Sequence, residues 1–444
     1  MNKKDEERKI QKKILKEPIM IKFRLYGFFK NLKFYEPYIL LLLLAWGLNL
    51  FQIGLLLLIQ EIITYVFEIP SGIIADKFGK KNELMLCFLF YIASFIVYFF
   101  ALGNLIHSFA FLAIGPLLFG MGEAFRSGTH KAMILYWMDE NNYSKFKSFV
   151  YGTTRSWSLI GSTLNGILSI FLVIFAPEPR YVFPFAIVPY LADLILIATY
   201  PSYMNKKNLQ EGKSIFSEFV SGFRDLFVSL KNRDLRRGII SSSSYDAVYK
   251  SIKDYIQPIV KVFIAVMIIN LGLSSIDISE DNLVRIILGV LYSSFYLLSS
   301  ISSRNAFKIK NLFKSSRKTM DIIYYSFSIV LILSAAFIWL QLPIVVVFLY
   351  LIIYVFANAR RPIVIDYLGS IMKKEQRATI LSAESQLKSI IVLAIAPLFG
   401  YIADYSIPLL FIIISIALAA INLLFLSENS LILSFKWRKQ EEKA

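Results

Sequence analysis

Charged side chains interrupt most of the long apolar stretches of this sequence. An ionisable group inside a membrane costs about 3 kcal/mol, so such groups are usually paired or functional. The charged candidates for substrate binding are Glu36, Glu123, Arg155, Lys253, Asp254 and Glu384. A buried carboxyl can take up and release a proton. Glu36 and Glu123 are therefore the candidates for a proton-coupling site.

Polar and aromatic residues accompany these charges. Trp157, Tyr255, Gln257 and Gln386 could stack on, or hydrogen-bond to, a flat organic solute. Because cations and anions occur together, we expect a charged or zwitterionic small molecule as the substrate. An internal salt-bridge ladder is the alternative for the charges spaced four residues apart, which are Asp246, Lys250, Asp254, Glu384 and Lys388.

Motifs for chemistry are missing from the sequence. It has no Gly-x-x-x-x-Gly-Lys-Ser/Thr phosphate loop, no His-Glu-x-x-His and no Gly-x-Ser-x-Gly. Its single cysteine, Cys87, excludes an intramolecular disulfide and a cysteine-built zinc site. We therefore expect no enzyme, no cofactor, no metal site and no ATP-driven transport.

Hydrophobicity sets the fold class. Of the 444 residues, 57% are hydrophobic and 18% are charged, and the mean hydropathy is +0.59. Apolar stretches lie at 26–46, 50–71, 83–102, 109–132, 149–175, 182–200, 238–268, 282–301, 319–341, 343–366, 379–402 and 407–426. Since about 20 apolar residues span a bilayer, the sequence predicts an all-α membrane protein with twelve transmembrane helices in two six-helix halves.

The net charge of +17 is concentrated in alternate loops. The loops after the even-numbered stretches, and the C-terminus, are rich in Lys and Arg, whereas the intervening loops contain only Arg180. This alternation predicts a multi-pass protein of the cytoplasmic membrane with both termini cytoplasmic, and it explains the charge without nucleic acid. We also expect a monomer.

The predicted domains follow from this pattern. They are a basic N-terminal tail (1–24) on anionic lipid headgroups, a first half (25–200), a cytoplasmic linker (201–236), a second half (237–427) and a cytoplasmic tail (428–444). Within the linker, apolar residues at helical spacing predict an amphipathic surface helix over Ser214–Lys231. Similar segments at 125–136 and 356–367 indicate that the two halves are structural repeats of each other.

A basic turn follows the second apolar stretch. The segment Gly72-Ile-Ile-Ala-Asp76-Lys77-Phe-Gly79-Lys80-Lys81 resembles the signature loop of the major facilitator superfamily, Gly-x-x-x-Asp-Arg/Lys-x-Gly-Arg/Lys-Arg/Lys. Glycine permits the tight turn, and we expect Asp76 to accept bonds from helix N-terminal amides. The resemblance implies alternating access, with this loop latching the outward-facing state.

A narrower resemblance concerns vitamin carriers. The segments around Tyr26–Pro37, Gly122–Phe125, Thr154–Gly161 and Asp254–Gln257 are similar to parts of reduced-folate and thiamine carriers. It implies thiamine or folate as candidate substrates. Multidrug efflux is the alternative, although Arg126 is followed four residues later by His130 rather than glycine. A non-transporting receptor and a pore also stay open.

Overall fold

A computed structural model describes residues 3–103, 108–126, 129–205, 230–271, 279–372 and 377–423. These ranges are helical with short connections and contain no strand. The helices are α1 Lys3–Lys16, α2 Pro18–Lys30, α3 Ile39–Ala45, α4 Leu50–Phe78, α5 Lys80–Ala101, α6 Phe109–Arg126, α7 Thr129–Glu140, α8 Lys147–Phe175, α9 Val182–Ala198, α10 Arg233–Ile252, α11 Ile256–Leu271, α12 Glu280–Arg304, α13 Ala306–Leu312, α14 Ser316–Trp339, α15 Pro343–Ile371, α16 Arg377–Tyr405 and α17 Ile407–Ile421.

Nine stretches of the described chain are long and apolar enough to cross a membrane. The other three predicted spans are also helical but do not reach that length without interruption. The first is divided into α2 and α3, and the seventh has a 3₁₀ turn at Lys253–Tyr255 between α10 and α11. The described part of the twelfth is α17, with 15 residues. The helices are thus consistent with twelve spans, and the chain is a multi-pass membrane protein.

The first span differs most from the prediction of one helix over 26–46. Residues 31–38 are not helical. Pro37 lacks an N–H group and disfavours helical geometry in the residue before it, so the helix is interrupted on its N-terminal side. The Asn31 side-chain amide donates to the Gly27 carbonyl (2.6 Å), and the Tyr190 hydroxyl donates to the Lys30 carbonyl (3.3 Å). These bonds satisfy backbone groups released by the break.

Two compact units divide the chain. Unit 1 comprises Met1–Trp46, Ile59–Ile215 and Asp281–Leu297, and unit 2 comprises Gly47–Leu58, Phe216–Glu280 and Leu298–Ala444. In unit 1, α5 packs against α6 and α9, and α2 packs against α8 and α9. In unit 2, α14 packs against α15 and α17, and α10 packs against α15 and α16.

Burial within the spans fits a lipid environment. Between 22% and 44% of the residues in the nine apolar windows are buried, so most of their residues keep some exposed surface. Phe175, Val188 and Ile344 are examples of large exposed apolar residues. The few ionisable groups inside the spans therefore stand out against an apolar background, and their partners decide what they can do.

The predicted linker helix Ser214–Lys231 falls on residues outside the described ranges, except for its last two positions. The C-terminal tail, 428–444, also lies outside them. The N-terminal segment includes α1, and a second helix, α2, begins at Pro18 and continues into the first span.

Candidate functional site

The first charge cluster consists of Tyr91, Glu123 and Arg126. Arg126 forms an ion pair with Glu123 three residues earlier on α6 (2.5 Å). Tyr91 on α5 donates its hydroxyl to the other Glu123 oxygen (2.6 Å) and accepts from Arg126 Nε (3.2 Å). Both carboxylate oxygens therefore have a donor, which stabilises the ionised form of Glu123.

Close packing positions the tyrosine of this cluster. A methyl group on Gly122 would lie 2.7 Å from the Tyr91 ring, so only glycine lets α6 approach this ring. Tyr91 also packs edge-on against Tyr190 of α9, with ring centroids 5.3 Å apart. The first charge cluster is thus supported by packing from two neighbouring helices.

Further charges surround the first charge cluster. Lys30, at the end of α2, and Lys33, in the interrupted first span, are within electrostatic range of Glu123. Glu36 is half-buried in the same non-helical segment, and the adjacent Tyr35 is electrostatically close to both Glu36 and Glu123. The Tyr35 ring contacts a phenylalanine of α6, so the non-helical segment that carries Glu36 lies against the helix that carries Glu123.

The second charge cluster consists of Asp246, Arg360, Arg361 and Glu384, from three helices of unit 2. Arg361 of α15 forms ion pairs with Glu384 of α16 and with Asp246 of α10, the latter at 3.5 Å. The Ser242 hydroxyl donates to Glu384 Oε1 (2.6 Å), and Ser243 donates to the Glu384 carbonyl (2.8 Å). The Glu384 side chain is only 2% exposed, whereas that of Arg361 is 46% exposed.

Arg360 is the buried member of the second charge cluster, 1% exposed. Its guanidinium lies over the Tyr245 ring, 4.5 Å from the centroid, and donates to Ser241 Oγ (2.7 Å). Asp246 lies 3.9 Å from its NH1 group. An aromatic face, a hydroxyl and a carboxylate replace part of the water around this buried guanidinium, while its Nε and NH1 have no hydrogen-bond partner among the described residues.

The remaining predicted residues lie at other places in the two units. Arg155 on α8 is exposed, and Trp157 contacts Phe28 and the Arg24 guanidinium of α2. Lys253 and Asp254 form an ion pair in the 3₁₀ turn (3.2 Å). Tyr255, Gln257 and Gln386 are buried. Of the predicted residues, Glu384 therefore belongs to the second charge cluster, whereas Lys253 and Asp254 pair with each other.

The signature loop has a defined turn. Gly79 has a backbone φ of +95°, which favours glycine, and the Asn205 side chain accepts from the Lys81 N–H (3.1 Å). Lys81 Nζ donates to the carbonyls of Ala198 and Tyr200 (2.7 and 2.9 Å). The loop is therefore fastened to the end of α9. Lys77 is exposed and Lys80 is half-buried. The surroundings of Gly72 and Asp76 are not described, so the hydrogen bonds expected for Asp76 stay a prediction.

Sequence reasoning did not select several of the residues that complete these clusters. Arg360 and Arg361 were recognised only as part of the repeated segment 356–367, although two adjacent arginines inside an apolar stretch are themselves a signal. Lys30 carries a similar signal, as a charge inside the first apolar stretch. Tyr91 carries none, because its role depends on which helices become neighbours. The described residues contain no group of three or more His, Cys, Asp or Glu side chains that could hold a metal.

Comparison with known proteins agrees with the fold and the signature loop. The sequence pattern described as "Major Facilitator Superfamily" matches residues 31–387. The uncharacterized MFS-type transporter YxaM of Bacillus subtilis (strain 168) is 22% identical over 389 residues, covering 86% of this chain and 89% of YxaM.

Solved structures share the fold at low sequence identity. The nucleoside transporter NupG has a TM-score of 0.65 at 12% identity, covering 92% of this chain and 98% of NupG. A D-xylose-proton symporter has a TM-score of 0.61 at 13% identity, with 90% and 96% coverage. A POT family transporter in complex with 5-aminolevulinic acid has a TM-score of 0.66 at 13% identity, with 91% and 94% coverage.

Proposed function

The chain belongs to the Major Facilitator Superfamily, and from that premise we propose that it moves a small polar or charged organic solute across the membrane by alternating access, coupled to protons. Its family and relatives are transporters, not enzymes. The proposed location is the cytoplasmic membrane, with both termini cytoplasmic because alternate loops are basic. The proposed acting form is a monomer of two six-helix halves, with its basic surfaces against anionic lipids.

The exposure of Arg361 carries this proposal. Its side chain is 46% exposed within the long span α15, although lipid cannot solvate a guanidinium. A charge exposed within a span requires water or a polar ligand beside it. Because Arg361 also holds the buried Glu384, an acidic group of a solute could replace part of that ion pair without leaving a charge unpaired.

Because both clusters contain acidic and basic side chains, they favour a solute that carries both positive and negative groups. The first charge cluster offers Glu123 and Arg126, with Lys30 nearby, and the second offers Asp246, Glu384 and two arginines. Thiamine is cationic and folate is anionic, and both have flat rings. Nucleosides, D-xylose and peptides enter as candidates from the names of the structural neighbours.

Solute uptake into proteoliposomes tests the proposal. Labelled thiamine, folate, a nucleoside, D-xylose and a dipeptide are supplied with and without an inward proton gradient, while an enclosed dye reports internal pH. We expect saturable uptake of at least one solute, faster with the gradient and accompanied by internal acidification. Arg361→Gln should abolish this uptake, and Lys314→Gln, a loop substitution, should leave it unchanged.

Other outcomes identify the alternatives. Solute movement only out of inside-out vesicles, with a preference for lipophilic cations, would establish efflux. A solute that raises the melting temperature but does not cross in either direction would establish a receptor. Flux that does not saturate and does not respond to Arg361→Gln would establish a pore.

A further inference from the structure

Asp193 is a buried carboxyl in unit 1 that neither charge cluster includes. It lies on α9 and is 0% exposed, and neither carboxylate oxygen has a hydrogen-bond partner among the described residues. An ionised carboxylate in such a place lacks both water and donors, which is costly. Glu123 differs because both of its oxygens have donors and one is ion-paired.

One cation acts on Asp193 from a distance. The charge of Lys30 of α2 acts on Asp193, but the ammonium donates no hydrogen bond to this carboxyl. The same ammonium also interacts electrostatically with Arg126 and Glu123 of the first charge cluster. Lys30 therefore interacts electrostatically with both Asp193 and the first charge cluster.

Asp193 has titratable neighbours on several elements. From α2 these are Lys30 and Tyr26, whose buried hydroxyl also has no partner in the described chain. Tyr190 of α9 itself and Tyr200 just after it are also close, and α5 places Cys87 and Tyr91 beyond Tyr190. His130 of α7 stacks on Tyr26, with ring centroids 3.6 Å apart. Lys30 is thus the cationic neighbour with a direct effect on Asp193.

The interruption of the first span places this lysine. Because α2 ends at Lys30, its backbone carbonyl is free to accept from the Tyr190 hydroxyl, one turn from Asp193 on α9. The backbone of Lys30 is thereby tied to the helix that carries Asp193, while its side chain keeps some freedom because it is only half-buried.

We propose that Asp193 is a proton-binding carboxyl of this transporter and that the charge of Lys30 controls its proton occupancy. With Lys30 close, the carboxylate is favoured. When a solute engages Arg126 or Glu123 and draws the ammonium away, Asp193 binds a proton from water through one carboxylate oxygen. This inference rests on the proposed transport function and adds the site of its proton.

Infrared difference spectroscopy tests the proton site without any solute. The full chain in phosphatidylglycerol-containing nanodiscs is titrated with acid, and the carbonyl band of a protonated carboxyl is followed in H₂O and D₂O. We expect a titrating band that disappears in Asp193→Asn and persists in Glu83→Gln, a matched control because Glu83 is equally buried but accepts from Thr129. Lys30→Met should move the titration of this band to more alkaline pH.

Several results would overturn the proposal. They are a titrating carbonyl band that is unchanged by Asp193→Asn at every pH, or an Asp193-dependent band whose titration is unaffected by Lys30→Met. If Asp193→Asn does not fold, the proposal is tested by whether Lys30→Met shifts the titration of the band to more alkaline pH. For a solute found by uptake, Asp193→Asn should keep solute exchange and lose gradient-driven accumulation. The infrared result stands apart from the uptake result, so failure of the proton site and failure of the transport function are distinguishable.

Discussion

The two charge clusters differ in how their ion pairs are built. In the first, Glu123 and Arg126 belong to one helix turn, and their side chains are 22% and 30% exposed. In the second, Arg361 and Glu384 come from different helices, and the carboxylate is 2% exposed. A local pair forms as soon as its helix forms, whereas a pair between helices requires their packing. The second charge cluster should therefore contribute more to stability.

The largest effect should follow from removing the guanidinium that holds Glu384. Arg361→Gln would leave a buried carboxylate without its ionic partner, at a cost of about 3 kcal/mol in the free energy of unfolding. Equilibrium unfolding in mixed micelles with increasing SDS measures this loss. The matched change, Arg126→Gln, should cost about 1 kcal/mol because its partner is partly solvated and keeps the Tyr91 donor. Equal losses would contradict the comparison.

Double-mutant cycles sharpen the contrast. The coupling energy between Arg361→Gln and Glu384→Gln should be about 2 kcal/mol, because the two changes together leave no buried charge from the pair. The corresponding cycle for Arg126→Gln and Glu123→Gln should give about 0.5 kcal/mol, typical of a pair within one helix. Both cycles use the same unfolding measurement, and a reversed order would refute the assignment of stability to the second charge cluster.

Glu123→Gln separates stability from transport. We expect a loss of roughly 1 kcal/mol in stability but at least about tenfold in kcat/KM for solute uptake, because the amide no longer attracts Arg126 and a cationic part of the solute. Initial rates in proteoliposomes, corrected for the amount of folded protein, measure the second quantity. Glu83→Gln serves as the control, and a transport loss no larger than that of the control would show that Glu123 is structural.

The smallest effect should come from one hydroxyl. Tyr91→Phe keeps the ring that packs on Gly122 and removes one donor to Glu123, so we expect a stability loss of about 0.5–1 kcal/mol. Thermal unfolding in detergent detects such a change. Gly122→Ala should cost more, since the added methyl would displace the whole ring. If Gly122→Ala were the milder change, the packing of Tyr91 would not be what positions the first charge cluster.

The interrupted first span shows where prediction from sequence ends. The sequence predicted one membrane helix over the apolar stretch 26–46, but Pro37 and the polar residues before it separate α2 from α3. A proline signals a break without stating whether the freed backbone groups will find partners. Here Tyr190, 160 residues after Lys30 in the chain, supplies one of them, and that depends on α9 packing beside α2.

Hydrophobicity and charge along the chain by themselves indicated the membrane class and the apolar stretches, because the cost of placing a residue in lipid is a local property. The superfamily came from the resemblance carried by the motif residues of one short loop, Gly72–Lys81. The spacing of Glu123 and Arg126, three residues apart, is also local, although their ion pair was first seen in the structure. The tertiary structure decided that Arg361 holds Glu384, that Arg360 lies on Tyr245 and that Asp193 is buried near Lys30. Such partners are set by which helix faces meet, and no spacing along one helix contains that information.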